Sequence, residues 1–365
     1  MADAQKRWKE KSAKYVSTLV YLDEPQVVML DRGDDAKIIG VAIEKEGYDF
    51  PFLGAEISFT QWERYNRQFV DLRYLFLLPR WKRWYIFDLG DQDENDRVPL
   101  ENAEKEDFKN EKYLPSHGFW ARSHTEDDPV FEASTEIVTQ KFVIDGTWDP
   151  PDISQFFGRI NDLYSFFLGI GKFLSTNASH EQKRALVEAF TDNTLHSGFN
   201  YVNFYGDLRG LVRFGERLAM PAIVKQSPGF VNVEGKSATL QDVANALATY
   251  ETMQETLKEQ YNDLHKFLSR MKLLTKKGSG RLEKGDAISE EIKKKNAAFA
   301  DNLQINLGAI NKLTSNDSLL AAKILLSHYR RLERYHLFFA EGRAKQSGIT
   351  QSAVAGTPSI GDASV

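Results

Sequence analysis

The chain has 365 residues, of which 42% are hydrophobic and 27% are charged, as is typical of a globular protein of two or three domains. Its net charge of −5 argues against a protein that coats nucleic acid over its whole surface. The absence of cysteine excludes disulfides, thiolate metal sites and a cysteine nucleophile. No apolar run is long enough to span a membrane, and the N-terminus lacks the apolar core of an export signal. We therefore expect a cytoplasmic protein without membrane association.

Residues 1–149 are predicted to form a small β-rich domain with short helices and an acidic loop. Residues 5–14 are typical of a short basic helix, and Ser58 or Thr60 is suited to cap a helix that reaches Phe69. Alternating apolar and β-branched residues predict strands at Tyr15–Leu22, Gln26–Leu30, Lys37–Ile43 and Ile137–Val143. The last of these strands is expected to close the domain.

Two features of composition support these limits. All six tryptophans precede residue 149, and Asp149-Pro150-Pro151 follows, which favours a domain boundary there. The acidic residues between Asp88 and Glu111 are interpreted as a solvated loop.

Residues 150–344 are predicted to form a helix-rich domain with a small β element. Helices are expected from Asp152, from Ser179 to Thr191, from Ala287 to Leu303 and from Asp317 to Glu341. Strands are expected near residues 199–205 and 222–234. Residues 345–365 consist mainly of Ser, Ala, Gly, Thr and Pro, which predicts a disordered tail.

A long helix that begins at Ser237 or Thr239 and reaches about Leu274 dominates this second domain. Its apolar residues recur every three or four positions, which indicates a helix that packs along its whole length. About 35 residues span ~50 Å, so neighbouring helices or a second subunit must cover this apolar seam. The seam therefore predicts a homo-oligomer or a complex with a partner protein. The candidate interface residues are Leu247, Tyr250, Leu257, Tyr261, Leu264 and Leu268.

Two basic regions are candidate nucleic-acid contacts. Arg80, Lys82 and Arg83 alternate with aromatic residues, as in a stacking platform, although the rings could instead pack inward. The second region follows the long helix, where cations also favour the helix dipole, and consists of Arg270, Lys272, Lys276, Lys277 and Arg281. A further set on the last helix, Arg330, Arg331 and Arg334, could equally pair with acidic residues of neighbouring helices.

Catalytic chemistry has one candidate set. Glu234 and Lys236 are spaced as in metal-dependent nucleases, and Asp207 upstream could supply a second carboxylate for the metal. The segment from Gly229 to Ser237 resembles a phosphate-binding loop but has five residues between its glycines instead of four. The seven histidines form no metal-binding pair motif, so no metal site and no cofactor are expected.

Two stretches resemble known sequences. The segments 59–63, 70–73 and 113–119, which ends Leu-Pro-Ser-His-Gly-Phe, resemble a bacterial domain family of unknown function. The segment 227–235, Ser-Pro-Gly-Phe-Val-Asn-Val-Glu-Gly, is similar to a strand module found before long helices in bacterial proteins linked to conflict with phage. The resemblance implies a phage-defence or toxin-system context and no catalytic residues.

These observations predict an α+β protein with a β-rich first domain and a mainly helical second domain with long antiparallel helices. The function predicted is that of a non-enzymatic binding or assembly protein, a sensor or accessory subunit. A metal-dependent nuclease and a nucleic-acid-binding module remain the alternatives.

Overall fold

A computed structural model describes residues 11–33, 36–125, 137–191, 202–274 and 287–351. The structure is 51% helix and 24% strand, which confirms the predicted α+β class. Its described residues fall into two compact units, 11–125 (unit 1) and 137–351 (unit 2).

Unit 1 is built on an antiparallel sheet of seven strands, and each strand pairs with its neighbour in the order β6-β1-β2-β3-β4-β5-β7. The strands are β1 (Ser12–Leu22), β2 (Glu24–Gly33), β3 (Ala36–Ala42), β4 (Pro51–Ser58), β5 (Trp84–Asp88), β6 (Arg97–Pro99) and β7 (Glu101–Asn102). Strands β6 and β7 are consecutive pieces of one segment, yet β6 pairs with β1 and β7 pairs with β5. The sheet therefore closes on itself as a small barrel, which removes its free edges.

Both faces of this barrel are apolar, as the alternation along its strands requires. One cluster, inside, contains Val28, Ile38 and Phe87, and the other lies outside against two short helices. The helices are α1 (Phe59–Asn66) and α2 (Leu72–Leu77), and a third, α3 (Lys105–Phe108), follows later. Inside the barrel, a Cβ on Gly40 would lie 2.5 Å from the Phe87 ring, so only glycine leaves room for that ring.

Two expectations for unit 1 are wrong. Residues 12–14 belong to strand β1 and not to a basic helix, whereas residues 5–10 lie outside the described ranges. The acidic stretch is not simply solvated, because Asp88 is 6% exposed and accepts hydrogen bonds from the backbone N–H groups of Asp49, Phe50 and Gly90. The carboxylate satisfies turn donors that would otherwise lack acceptors.

Unit 2 combines seven helices with a four-stranded antiparallel sheet in the described part of the chain. The helices are α4 (Pro150–Leu174), α5 (His180–Thr191), α6 (Val202–Leu211), α7 (Ser237–Arg270), α8 (Ala287–Asn302), α9 (Leu307–Leu313) and α10 (Ser318–Ala340). The strands are β8 (Ile137–Ile144), β9 (Ala219–Val224), β10 (Gly229–Lys236) and β11 (Ala344–Gln351), in the order β11-β8-β10-β9. Asp149, and not Asp152, caps α4, because its side chain accepts from the Asp152 N–H and Pro150 occupies the first turn.

Three expectations for unit 2 also differ from the structure. Strand β8 pairs with β10 and β11, so it belongs to unit 2 and does not close the first domain before residue 149. Residues 345–351 are not a disordered tail, because their backbone groups pair with β8, while residues 352–365 lie outside the described ranges. Residues 202–205 begin helix α6 and form no strand, and 199–201 are likewise outside the described part.

Candidate functional site

The apolar seam of the long helix is covered within the chain. Its six candidate interface residues are all buried, with at most 8% exposure, in the core of unit 2: Leu247, Tyr250, Leu257, Tyr261, Leu264 and Leu268. Helices α4, α8 and α10 pack along α7, and the Tyr261 ring stacks on Tyr329 of α10 at 4.7 Å. The prediction that these residues form a surface for self-association is therefore wrong, because one subunit supplies enough helices to cover the seam.

Two aromatic rings that follow the basic segment 80–83, Trp84 and Tyr85, pack inward. Trp84 stacks on Phe108 at 4.2 Å, and its indole N–H donates to the Phe76 carbonyl. Tyr85 is 2% exposed. The cations remain at the surface: Lys82 and Arg83 are exposed and Arg80 is half-buried. These two rings therefore offer no platform on which a base could stack.

The second predicted basic region is described only in part. Arg270 and Lys272 are exposed at the C-terminal end of α7, where the helix dipole favours cations. Lys276, Lys277 and Arg281 lie outside the described residues. Nucleic-acid binding by this region stays a prediction.

The proposed nuclease residues are distributed over α6 and β10. Glu234 and Lys236 lie on one face of β10, since they are two positions apart, and Asp207 is exposed on α6. The Lys236 Nζ lies 3.1 Å from an oxygen of Glu216, a carboxylate that also binds Lys172. Lys236 thus has a carboxylate partner outside the predicted set. Across the described ranges, no three His, Asp or Glu side chains are grouped to hold a metal ion.

Exposed apolar side chains and arginines occur together on helices α1 and α2. Leu77 and Leu78 are 52% and 55% exposed, and Phe69 is 44% exposed. The guanidinium of Arg64 lies 5.5 Å from the centre of the Tyr74 ring, and that of Arg67 lies 5.6 Å from the centre of the Phe69 ring. The two helices are joined here by a hydrogen bond from the Gln61 amide to the Leu78 carbonyl at 2.8 Å. We call this region the α1–α2 surface; its members are Gln61, Arg64, Arg67, Phe69, Tyr74, Leu77 and Leu78.

The charge of this segment is opposite to that of the chain. Residues 59–83 carry six cationic and two anionic side chains, whereas the whole chain has a net charge of −5. Two of the cations have acidic partners elsewhere in unit 1, because Arg73 binds Glu111 and Arg83 lies 3.8 Å from Glu56. The surface is therefore both apolar and cationic, a combination that is typical of recognition sites.

Unit 2 contains a buried group of arginines around one carboxylate. Asp162 on α4 has a 5% exposed side chain and accepts hydrogen bonds from Arg209 Nη1 and from Arg331 Nε, the latter at 2.7 Å. Arg159 Nη1 lies 3.8 Å from the same carboxylate. We call these four residues the Asp162 cluster. The Arg331 guanidinium also lies 4.6 Å from the centre of the buried Tyr205 ring, a geometry that favours a cation.

Sequence reasoning identified only part of this cluster. It allowed Arg331 to pair with an acidic residue of a neighbouring helix, as the structure shows, but it did not single out Asp162 or Arg209. The available signal was the position of Asp162 directly before the largely apolar run 163–170 of the same helix. A carboxylate in such a helix must have partners, because an unpaired buried charge is costly.

No family model matches this chain, and neither a curated protein nor a solved structure is detectably similar to it. The resemblance to bacterial domains of unknown function therefore stays a prediction. Within the described ranges, no helix combines the length and the apolar character that crossing a membrane requires.

Proposed function

We propose that this protein is a non-enzymatic binding or assembly protein that docks a partner protein on the α1–α2 surface. The observation that carries the proposal is the exposure of Leu77, Leu78 and Phe69 beside arginines, in the cationic part of an otherwise acidic chain. The complementary partner is an amphipathic helix that offers apolar side chains flanked by carboxylates.

The composition of this surface favours a protein over nucleic acid. Leucine side chains have no flat face on which a base can stack, and the Trp84 ring is already stacked on Phe108. Binding of an apolar partner removes exposed leucines from water, which lowers the free energy of the complex. Arginines beside them then select the sign of the partner's charge and increase the association rate.

A different protein fits this surface better than a second copy of the chain. In a two-fold symmetric dimer the same patch lies on both sides of the interface, so the basic patch that contains Arg64 and Arg67 would face the basic patch of the other copy. Like charges opposed in this way are unfavourable. The partner should therefore be acidic where this chain is basic.

Site-specific photo-crosslinking in the organism that encodes the protein tests the proposal. A photoreactive amino acid is placed at position 78 and, as a control, at position 337; Leu78 and Leu337 are similarly exposed, at 55% and 49%. The same experiment is repeated with Arg64→Glu and with Arg184→Glu. Arg184 is a matched control because it lies on α5 in unit 2 and its side chain is 77% exposed.

We expect a protein adduct at position 78 and not at position 337. Arg64→Glu should abolish this adduct, while Arg184→Glu should preserve it, and the purified partner should bind the wild-type chain more tightly than the Arg64→Glu variant. An adduct with nucleic acid or with a second copy of this chain would contradict the proposal. The proposal would also be contradicted if position 78 formed no adduct other than one that also forms at position 337.

The cellular role that we propose is that of a sensor or accessory subunit in a bacterial anti-phage defence or toxin system, acting in the cytoplasm. Its support is the resemblance of the segment 227–235 to a module in bacterial proteins of that context. The genes beside this one test the role: a toxin or nuclease encoded next to it would supply the expected partner. Neighbours that encode only metabolic enzymes would contradict the role.

A further inference from the structure

The Asp162 cluster holds more positive than negative charge. Three guanidiniums, those of Arg159, Arg209 and Arg331, surround one carboxylate. A fourth, Arg334, is close enough to act electrostatically on Arg159. In the part of the chain that the structure describes, no second acidic side chain lies within ion-pair distance of Arg159, Arg209 or Arg331. Asp162 alone cannot neutralise this group.

Water compensates this surplus only in part, through Arg209, whose side chain is 37% exposed, and through the exposed Arg334. The side chains of Arg331 and Arg159 are 11% and 19% exposed, and the buried Nε of Arg159 has no hydrogen-bond partner among the described residues. Burial, together with the charges of Arg331 and Arg334, lowers the pKa of the Arg159 guanidinium. A buried cation that is not fully paired favours the arrival of an anion.

A cavity lies directly beside this cluster. Its volume is about 320 Å³, near the lower limit for small-molecule sites, and Arg209 contributes both to its wall and to the cluster. The remaining lining residues are Asn161, Ser165, Gly210, Val212, Arg217 and Leu218. Two guanidiniums, an amide and a hydroxyl thus surround a space that also has an apolar wall.

A second carboxylate near this cavity is also outnumbered by cations. Glu216, which precedes Arg217, is shared by Lys172 and Lys236. Arginine presents several N–H donors in a planar fork that matches the oxygens of a phosphate group.

We propose that this cavity is a binding site for a small organic phosphate, with Arg209 and Arg217 holding the phosphate group and Val212 and Leu218 contacting the organic part. The volume limits the ligand to a compact molecule. A phosphate in a nucleic-acid backbone offers the same chemistry, but it brings a polymer that is too large for a cavity of this volume.

Gly210 allows a test in which the arginines stay in place. It lies in helix α6 and lines the cavity, and a Cβ at this position would meet no atom within 4 Å. Gly210→Glu brings a carboxylate to the cavity, and Gly210→Gln adds a side chain of the same size without the charge. Both changes replace a helical glycine and should preserve the fold.

Binding to the full-length chain is measured by calorimetry at constant ionic strength. The probes are inorganic pyrophosphate, a panel of nucleoside monophosphates and sugar phosphates, and a short single-stranded RNA. We expect saturable binding of at least one small phosphate, weakened at least tenfold by Gly210→Glu and less than threefold by Gly210→Gln. Arg184→Gln, which changes an exposed arginine on α5, should leave the affinity unchanged.

Three results would overturn the proposal. The first is that no small phosphate binds saturably below about 10 mM, a concentration above the range of ordinary ligand affinities. The second is that Gly210→Gln weakens binding as much as Gly210→Glu, which would show that charge in the cavity is unimportant. The third is that only the RNA binds.

Discussion

Each unit encloses a buried carboxylate among arginines, and the two arrangements differ in how far water reaches the cations. In unit 1, Glu56 is 2% exposed and accepts hydrogen bonds from Arg32 and from the Tyr85 hydroxyl, the latter at 2.9 Å. The Arg32 side chain is 23% exposed and that of Arg83 is 54% exposed. In unit 2, Asp162 is surrounded by three arginines, Arg331, Arg159 and Arg209, whose side chains are 11%, 19% and 37% exposed.

The same residue types therefore have different energetic consequences in the two units. At Glu56 the arginines keep contact with solvent, and a tyrosine hydroxyl supplies a neutral donor, so the positive charge is dispersed. At Asp162 three cations share one carboxylate, two of them are more buried than either arginine at Glu56, and Arg209 lines a cavity. The free-energy cost of a surplus charge is small in the first arrangement and large in the second.

The largest expected effect is that of Asp162→Asn. Loss of the carboxylate removes the counter-charge of Arg209 and leaves Arg331 buried without one, which should lower the free energy of unfolding of unit 2 by about 3–5 kcal/mol. Hydrogen exchange of the α4 and α10 amides under increasing urea measures this change for unit 2 alone. Asp152→Asn is the control, because Asp152 pairs with Arg343 near the surface and its loss should cost about 1 kcal/mol or less. Equal effects of the two changes would show that burial of the cluster contributes nothing.

A smaller effect is expected for Glu56→Gln. The amide retains hydrogen-bonding atoms for Arg32 and Tyr85, and the exposed part of each arginine stays hydrated. The free energy of unfolding of unit 1 should fall by about 1–2 kcal/mol, measured by exchange of the β4 and β5 amides. A loss as large as that for Asp162→Asn would break the contrast between the two units.

The smallest expected effect depends on pH and concerns His328. Burial lowers its pKa from 6.5 to about 3, and neither ring nitrogen has a hydrogen-bond partner in the described part of the chain. Below pH 6.5 the unfolded chain therefore binds a proton that the folded chain does not, and stability falls as the pH falls. His328→Leu removes this pH dependence. The free energy of unfolding of the variant, relative to that of the wild type, should therefore rise by about 1 kcal/mol when the pH is lowered from 7.5 to 5.5.

Unit 1 provides the internal control for that measurement. His124, whose Nε2 lies 2.9 Å from the Tyr65 hydroxyl, also has its pKa lowered by burial, to about 4. It is present in both proteins, so the pH dependence of unit 1 amides should be identical in wild type and His328→Leu. A pH-independent difference between the two proteins in unit 2 would contradict this prediction, because it would mean that His328 has the same pKa in the folded and in the unfolded chain.

The features that follow from local periodicity could be predicted from sequence. Alternation located strands β1 to β3, and the three- and four-residue spacing located α7 and its apolar seam. The composition of residues 345–365 gave no sign of β11, because that strand is stabilised by pairing with β8, about 200 residues earlier. Closure of the barrel by β6 and β7 was equally invisible, since each of these strands has at most three residues.

The chemistry of the sites was less predictable than the fold. Asp162 and Arg331 are 169 positions apart, and no local pattern indicates which acidic residue an arginine will meet. Exposure of Leu77 and Leu78 depends on how α1 and α2 lie on the barrel, and the sequence showed only an apolar run. Which residues are buried, and against which partners, is decided by tertiary contacts.

The pairing of β8 with β11 has a consequence for biosynthesis. The seven strands described for unit 1 are complete once Asn102 has left the ribosome, so its barrel can form while most of the polypeptide is still being made. Unit 2 begins its sheet at Ile137 but obtains the outer strand only with residues 344–351, after all of its helices. Until then, one edge of β8 is unpaired in the nascent chain, and a chaperone would be most useful to the protein during this interval.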